Sequence, residues 1–128
     1  MGNDSISLRS DFTLGFLGGG QLARMSAQAA FRFGMRVSCY AGSKGSEPLQ
    51  WMTPLGGHGA FDDVEAMTRF AAACDVVTLE NEFIDPGVLR EVEAASGVAI
   101  LPSPGSFEKI ENKRIEKETF RDAGIPVA

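Results

Sequence analysis

Three consecutive glycines, Gly18-Gly19-Gly20, stand between a short apolar run and an apolar periodicity of helical type. The run from Phe12 to Leu17 reads as a strand. Leu22, Met25, Ala29 and Phe33 then recur at helical spacing and predict one apolar stripe on a helix over residues 21–33. Gly34 is a fitting stop signal, and Met35 to Tyr40 reads as a second strand. Strand, glycine turn, helix and strand make a βαβ unit with a right-handed crossover, and few folds accommodate that opening.

The rest of the chain continues the alternation. Residues 41–59 are rich in glycine and proline and read mostly as loop, with a short strand near Leu55. Asp62 or Asp63 can cap a helix running to about Ala73, with Val64, Met67, Phe70 and Ala71 on one face. Asp75 to Leu79 has the look of a buried strand. Asp85-Pro86 is a strong helix start, a capping residue followed by proline in the first turn. That helix carries Val88, Leu89 and Val92 and ends near Gly97, and Val98 to Leu101 is a further strand. Ser103-Pro104 opens a turn, Ser106 to Ile110 forms a short helical segment, and residues 112–123 form a charged helix ending at Gly124. The expected fold is α/β, a Rossmann-like parallel sheet with helices on both faces.

Composition narrows the function. A chain of 128 residues with 44% apolar content can build one ordinary core. Its net charge of -5 argues against a nucleic-acid surface. No apolar run approaches the roughly 18 residues of a membrane span. Residues 1–10 form a polar lead-in without the apolar stretch of a signal peptide, so a cytoplasmic protein is expected. Cys39 and Cys74 fit no zinc or redox spacing and read as small buried hydrophobes.

Ligands of parallel sheets sit at the carboxyl ends of the strands, and two such ends carry suggestive chemistry. Gly18-Gly19-Gly20-Gln21-Leu22-Ala23 has the glycine spacing of a dinucleotide turn. Bare backbone lets N–H groups approach a ligand, and the helix start favours an anion such as phosphate. A tight turn that binds nothing is the plain alternative. A nicotinamide or flavin dinucleotide would call for an acid at the end of the second strand, but Cys39-Tyr40-Ala41-Gly42 offers none. At the other end, Thr78-Leu79-Glu80-Asn81-Glu82 sets two carboxylates past an apolar strand. Alternation points Glu80 and Glu82 to one side. They could bind an amine or hydroxyls, hold a metal, do acid–base work, or form a solvated loop.

Several motifs in register are similar to one family. Gly15 to Met25 resembles the G-x-L-G-G-G-Q-L-G-R-M opening of 5-(carboxyamino)imidazole ribonucleotide synthases. Cys74 to Glu82 resembles their C-D-V-V-T-Y-E-F-E segment, and Leu101-Pro102-Ser103-Pro104 their R-P-S-P turn. Glu116-Lys117, Phe120 and Gly124 to Ala128 look like the entry to their ATP-grasp region. The resemblance implies an ATP-dependent ligase of purine biosynthesis that joins bicarbonate to the amine of aminoimidazole ribonucleotide, with ATP and Mg2+ as cofactors.

By that resemblance residues 11–105 are the Rossmann-like amino-terminal domain, and 106–128 begin the ATP-grasp region. Gly20, Gln21 and Leu22 would contact the ribose phosphate, Glu80 the ribose and amine side, and Glu82 more weakly the same ligand. Lys113 would touch ATP phosphates. No catalytic residue and no metal ligand is assigned within these residues, and a homodimer is the family's common state. The 128-residue chain by itself is expected not to hydrolyse ATP, since most of the clamp is carried by further subdomains.

The departures are Ala23 for a usual glycine, the missing aspartate at the end of the second strand, and the loop Ser46-Glu47-Pro48-Leu49-Gln50-Trp51. Trp51 and His58 read as packing or surface residues. A nearby ligase, glycinamide ribonucleotide transformylase, has G-E-L where this chain has Gly20-Gln21-Leu22. The other readings are a stand-alone nucleotide- or dinucleotide-binding module and an interaction domain without a ligand.

Overall fold

The computed structural model describes residues 11–45, 47–80, 82–110 and 112–127. The lead-in 1–10, Ser46, Asn81 and Ala128, which figure in the sequence reading, lie outside the described residues. Five strands form one parallel sheet: β1 (Thr13–Leu17), β2 (Arg36–Ala41), β3 (Leu55–His58), β4 (Val76–Leu79) and β5 (Ile100–Leu101), in the order β3-β2-β1-β4-β5. Helices lie on both faces, as the alternation predicts. They are α1 (Gln21–Arg32), α2 (Val64–Ala71), α3 (Pro86–Ser96), α4 (Pro104–Ile110) and α5 (Lys113–Asp122), with a 3-10 turn at Pro48–Trp51.

Local chemistry accounts for the boundaries. The Asp63 carboxylate accepts from the Ala66 amide at 2.9 Å and starts α2. The Asp85 side chain accepts from Gly87 at 2.7 Å and from Val88 at 3.3 Å, and Pro86 supplies the preset first turn of α3. Gly97 ends α3 in the left-handed conformation at φ 70°, where a Cβ would be strained.

Strand alternation feeds two cores. On one face Leu17, Tyr40 and Val77 pack with Met67 and Phe70 of α2, Leu89 and Val92 of α3, and Phe107 of α4. On the other, Phe16, Val37, Cys39 and Ala41 pack with Ala23, Ala27 and Ala30 of α1 and with Leu49 of the 3-10 turn. Both cysteines are buried, unpaired thiols, as expected.

The stripe predicted for α1 is overturned. Leu22, Met25 and Phe33 are 66%, 56% and 74% exposed, and Ala29 is exposed too. The alanine row faces the sheet instead. Small side chains let the helix axis approach the strands closely, whereas the larger residues would hold it away. The position between residues 105 and 106 falls inside α4, whose Phe107 joins the core. By contrast, α5 buries none of its side chains.

Candidate functional site

The strand order reverses direction between β1 and β4. Helix α1 leaves β1 toward one face and α3 leaves β4 toward the other, so their carboxyl ends flank the crevice where open α/β sheets hold ligands. Leu17 pairs with Leu79, which sets Gly18 beside Glu80. The ladder runs right to the rim: Glu80 donates its amide to the Leu17 carbonyl at 2.9 Å, and Gly18 donates to the Tyr40 carbonyl at 2.9 Å.

The glycine turn and Glu80 are brought into direct contact range. A Cβ on Gly20 would fall 3.0 Å from Glu80 Cδ and closer still to Oε1. The absence of a side chain at Gly20 therefore makes the space in which the Glu80 carboxylate stands. Gly20 also caps α1 with extended backbone and no side-chain acceptor. The first amides of a helix have no intrahelical partner, so the start of α1 presents donors at this rim.

Below the rim lies a groove of about 350 Å³ on the α1 face. Leu22, Ala23 and Ser26 of α1 form one wall, Leu14 and Phe16 of β1 and Val76 and Thr78 of β4 the floor, and Glu80 and Leu101 the far edge. It has the size and largely apolar character of small-molecule sites, with a carboxylate and helix-start amides at one end. A smaller hollow of about 130 Å³ continues past Glu80 toward Glu82, Pro102 and Ile110. Of the residues singled out from the sequence, Gly20 and Leu22 thus meet Glu80 at one rim, Gln21 is exposed between them as the first residue of α1, and Glu82 stands exposed beyond Glu80.

Lys113 is elsewhere. It opens α5, is 90% exposed, and pairs with Glu116 at 3.4 Å. Arg114, Lys117 and Arg121 share its surface. Glu118 lies on the same surface and pairs with Arg114 at 3.0 Å. Among the described residues, no three His, Cys, Asp or Glu side chains gather as a metal site would require. Trp51 is 73% exposed and His58 is exposed on β3, both away from the crevice.

One residue at the site had no role in the sequence reading. Glu47 reaches back from the segment after β2. Its Oε2 accepts from the Gly19 amide at 2.5 Å and its Oε1 from the Gly42 amide at 3.2 Å. The Leu49 amide donates to the Gly19 carbonyl at 2.8 Å, fixing the same segment to the turn. The Cys39 thiol beneath is pushed up to about 12, by burial first and then by the carboxylates of Glu47 and Glu80. It carries no thiolate character at neutral pH.

A family model described as the ribonucleotide synthetase preATP-grasp domain matches residues 12–111. A phosphoribosylaminoimidazole carboxylase of Ogataea methanolica is 39% identical over 118 residues, 91% of this chain and 22% of that protein. An N5-carboxyaminoimidazole ribonucleotide synthase of Brucella melitensis is 34% identical over 125 residues, 98% of this chain and 34% of that protein. The crystal structure of the N5-carboxyaminoimidazole synthase from Aspergillus clavatus, in complex with ADP and 5-aminoimidazole ribonucleotide, superposes with a TM-score of 0.80 at 36% identity. That match covers 93% of this chain and 31% of the other. The chain thus spans about a third or less of the length of these relatives.

Proposed function

The chain belongs to the ribonucleotide synthetase preATP-grasp family, and from that premise we propose that it is the substrate-side domain of an ATP-dependent ligase that carboxylates 5-aminoimidazole ribonucleotide with bicarbonate in purine biosynthesis. The observation that carries the reading is the meeting of the α1 start and the Glu80 carboxylate at one crevice. A phosphoribosyl amine needs both kinds of group. Amides at Gln21 and Leu22 suit its phosphate, and a carboxylate suits ribose hydroxyls or the exocyclic amine. Gly20 keeps the path between them clear, and Glu82 extends the acidic rim.

The residues of this chain bind and orient; they carry no bond-making step. ATP supplies phosphoryl activation of bicarbonate in such a ligase. We place Lys113 as a phosphate contact for it, at the point where residues 106–128 begin the ATP-grasp region. Mg2+ would accompany ATP in such a ligase, and among the described residues no three His, Cys, Asp or Glu side chains gather to hold it. A cytoplasmic setting fits this chemistry, and among the described residues no helix is long and apolar enough to cross a membrane. A homodimer is part of the same proposal.

Calorimetric titration of the 128-residue chain tests the reading. Heat is expected with 5-aminoimidazole ribonucleotide, and Glu80→Gln is expected to weaken that binding about tenfold, the worth of one charge-assisted hydrogen bond. Binding of NAD with none of the ribonucleotide would replace the proposal by a dinucleotide module.

A further inference from the structure

The glycine turn already holds an anion of its own. Of its backbone donors, the Gly19 amide is taken by Glu47 Oε2 at 2.5 Å, and the other oxygen of that carboxylate is held by Gly42. A Cβ on Gly19 would meet Glu47 Oε2 at 3.1 Å, so the carboxylate lies against the bare side of the turn. The start of α1 is different: Gly20 offers no side-chain cap and α1 has no acidic residue in its first turn, so the carboxylate nearest it is that of Glu80, which stands against Gly20. The cradle therefore divides into a filled half at Gly19 and an open half at Gln21 and Leu22.

We propose that Glu47 is a specificity-determining residue that restricts this turn to ligands with a single phosphate. Once one phosphate takes the amides at Gln21 and Leu22, the second phosphate of a diphosphate laid along the turn is directed toward Gly19. Here its second phosphate would meet a fixed carboxylate, with the hydrogen bonds it needs already made. Like charges brought together at a binding surface suppress the wrong partner. A monophosphate ester needs only the open half and leaves Glu47 where it is. The inference rests on the phosphoribosyl reading above for its choice of ligand. It also gives a physical reason for the turn to refuse dinucleotides.

The experiment is a pair of titrations followed by amide resonances in 15N-labelled 128-residue chain, with ribose 5-phosphate and ADP-ribose as probes. The unmodified chain should bind ribose 5-phosphate at least about tenfold more tightly than ADP-ribose, shifting the Gln21 and Leu22 amides and sparing Gly19. Glu47→Gln keeps one oxygen for Gly19, removes the charge and gives up the bond from Gly42. It should bring the two affinities within about threefold of each other, chiefly by a gain for ADP-ribose. Equal binding of the two probes by the unmodified chain overturns the inference without reference to any variant. So does a Glu47→Gln ratio unchanged from the parent, and in that case ribose 5-phosphate binding leaves the phosphoribosyl reading intact. If the parent ignores ribose 5-phosphate while Glu47→Gln gains ADP-ribose, the phosphoribosyl reading fails and the role of Glu47 stands. Silence of both probes with both proteins removes both.

Discussion

The two faces of the sheet are built on different principles. The α2–α3 face is closed by large side chains: Met67, Phe70, Leu89, Val92 and Ile100 are all fully or almost fully buried. The α1 face is closed by alanines over β1 and β2, and beside them it leaves the groove over β1, β4 and β5. Alanines bury little area per residue, so this face contributes less hydrophobic free energy. What it gains is a close approach of α1 to the strand ends, which puts helix-start amides within reach of Glu80. One face holds the fold together and the other shapes the crevice.

The largest effect should separate them on stability. Leu89→Ala removes a fully buried side chain from the closed face and should cost about 2–5 kcal/mol in urea unfolding. A cost below about 1 kcal/mol would mean that the closed face is not the main source of stability and that the two faces do not divide their roles in this way.

What could be read from the sequence follows the same division. On the closed face the pattern was sufficient: Met67, Phe70 and Ala71 lie together because large apolar residues at helical spacing leave little choice, and Asp85-Pro86 with Gly97 brackets α3 by its own local chemistry. On the α1 face the same rule misled. Leu22, Met25 and Phe33 carry the strong apolar signal, yet Ala23, Ala27 and Ala30 are buried, because fit against the strands outweighs hydropathy there. The Gly20–Gln21–Leu22 turn and Glu80 were legible because strand ends of a parallel sheet are predictable places. Glu47 was not. It acts on an amide 28 residues away, and no spacing or periodicity encodes a carboxylate reaching back from the start of the 3-10 turn. The only local hint was an acid before Pro48 in a loop that departs from the family's pattern.

Each face carries one buried thiol, and these sharpen the comparison by pH. Burial pushes Cys39 up to about 12 and Cys74 to about 11, from 9.0 for a free thiol. Glu47 and Glu80 add to the first shift, and Asp75 to the second. The unfolded chain gives up both protons near pH 9 while the folded chain keeps them. The stability that belongs to the neutral thiols is complete below about pH 9 and is lost as pH rises toward the folded values. Between pH 9 and 10 each thiol should contribute about 1 kcal/mol to the fall, so Cys39→Ala and Cys74→Ala should flatten the alkaline limb equally. Urea midpoints measured across that interval check this. A clearly smaller change for Cys39→Ala would show that the alanine-packed face admits water to its thiol and is looser than the closed one.

The smallest effect belongs to the edge of the groove. Met25 is 56% exposed and Leu101 47% exposed, so replacing either by serine returns little apolar surface to water. Each change should alter unfolding stability by less than about 0.5 kcal/mol. Leu101 borders the groove beside Glu80, whereas Met25 lies on the outer side of α1 with Gln28, Ala29 and Arg32. If the crevice is where the ribonucleotide sits, Leu101→Ser should weaken 5-aminoimidazole ribonucleotide binding by a few-fold, the worth of a few apolar contacts, and Met25→Ser should leave it unchanged. Calorimetry on the two variants decides. Equal losses would mean that the groove beside Glu80 is no more part of the site than the outer surface of α1, and the working face would have to be sought elsewhere on the molecule.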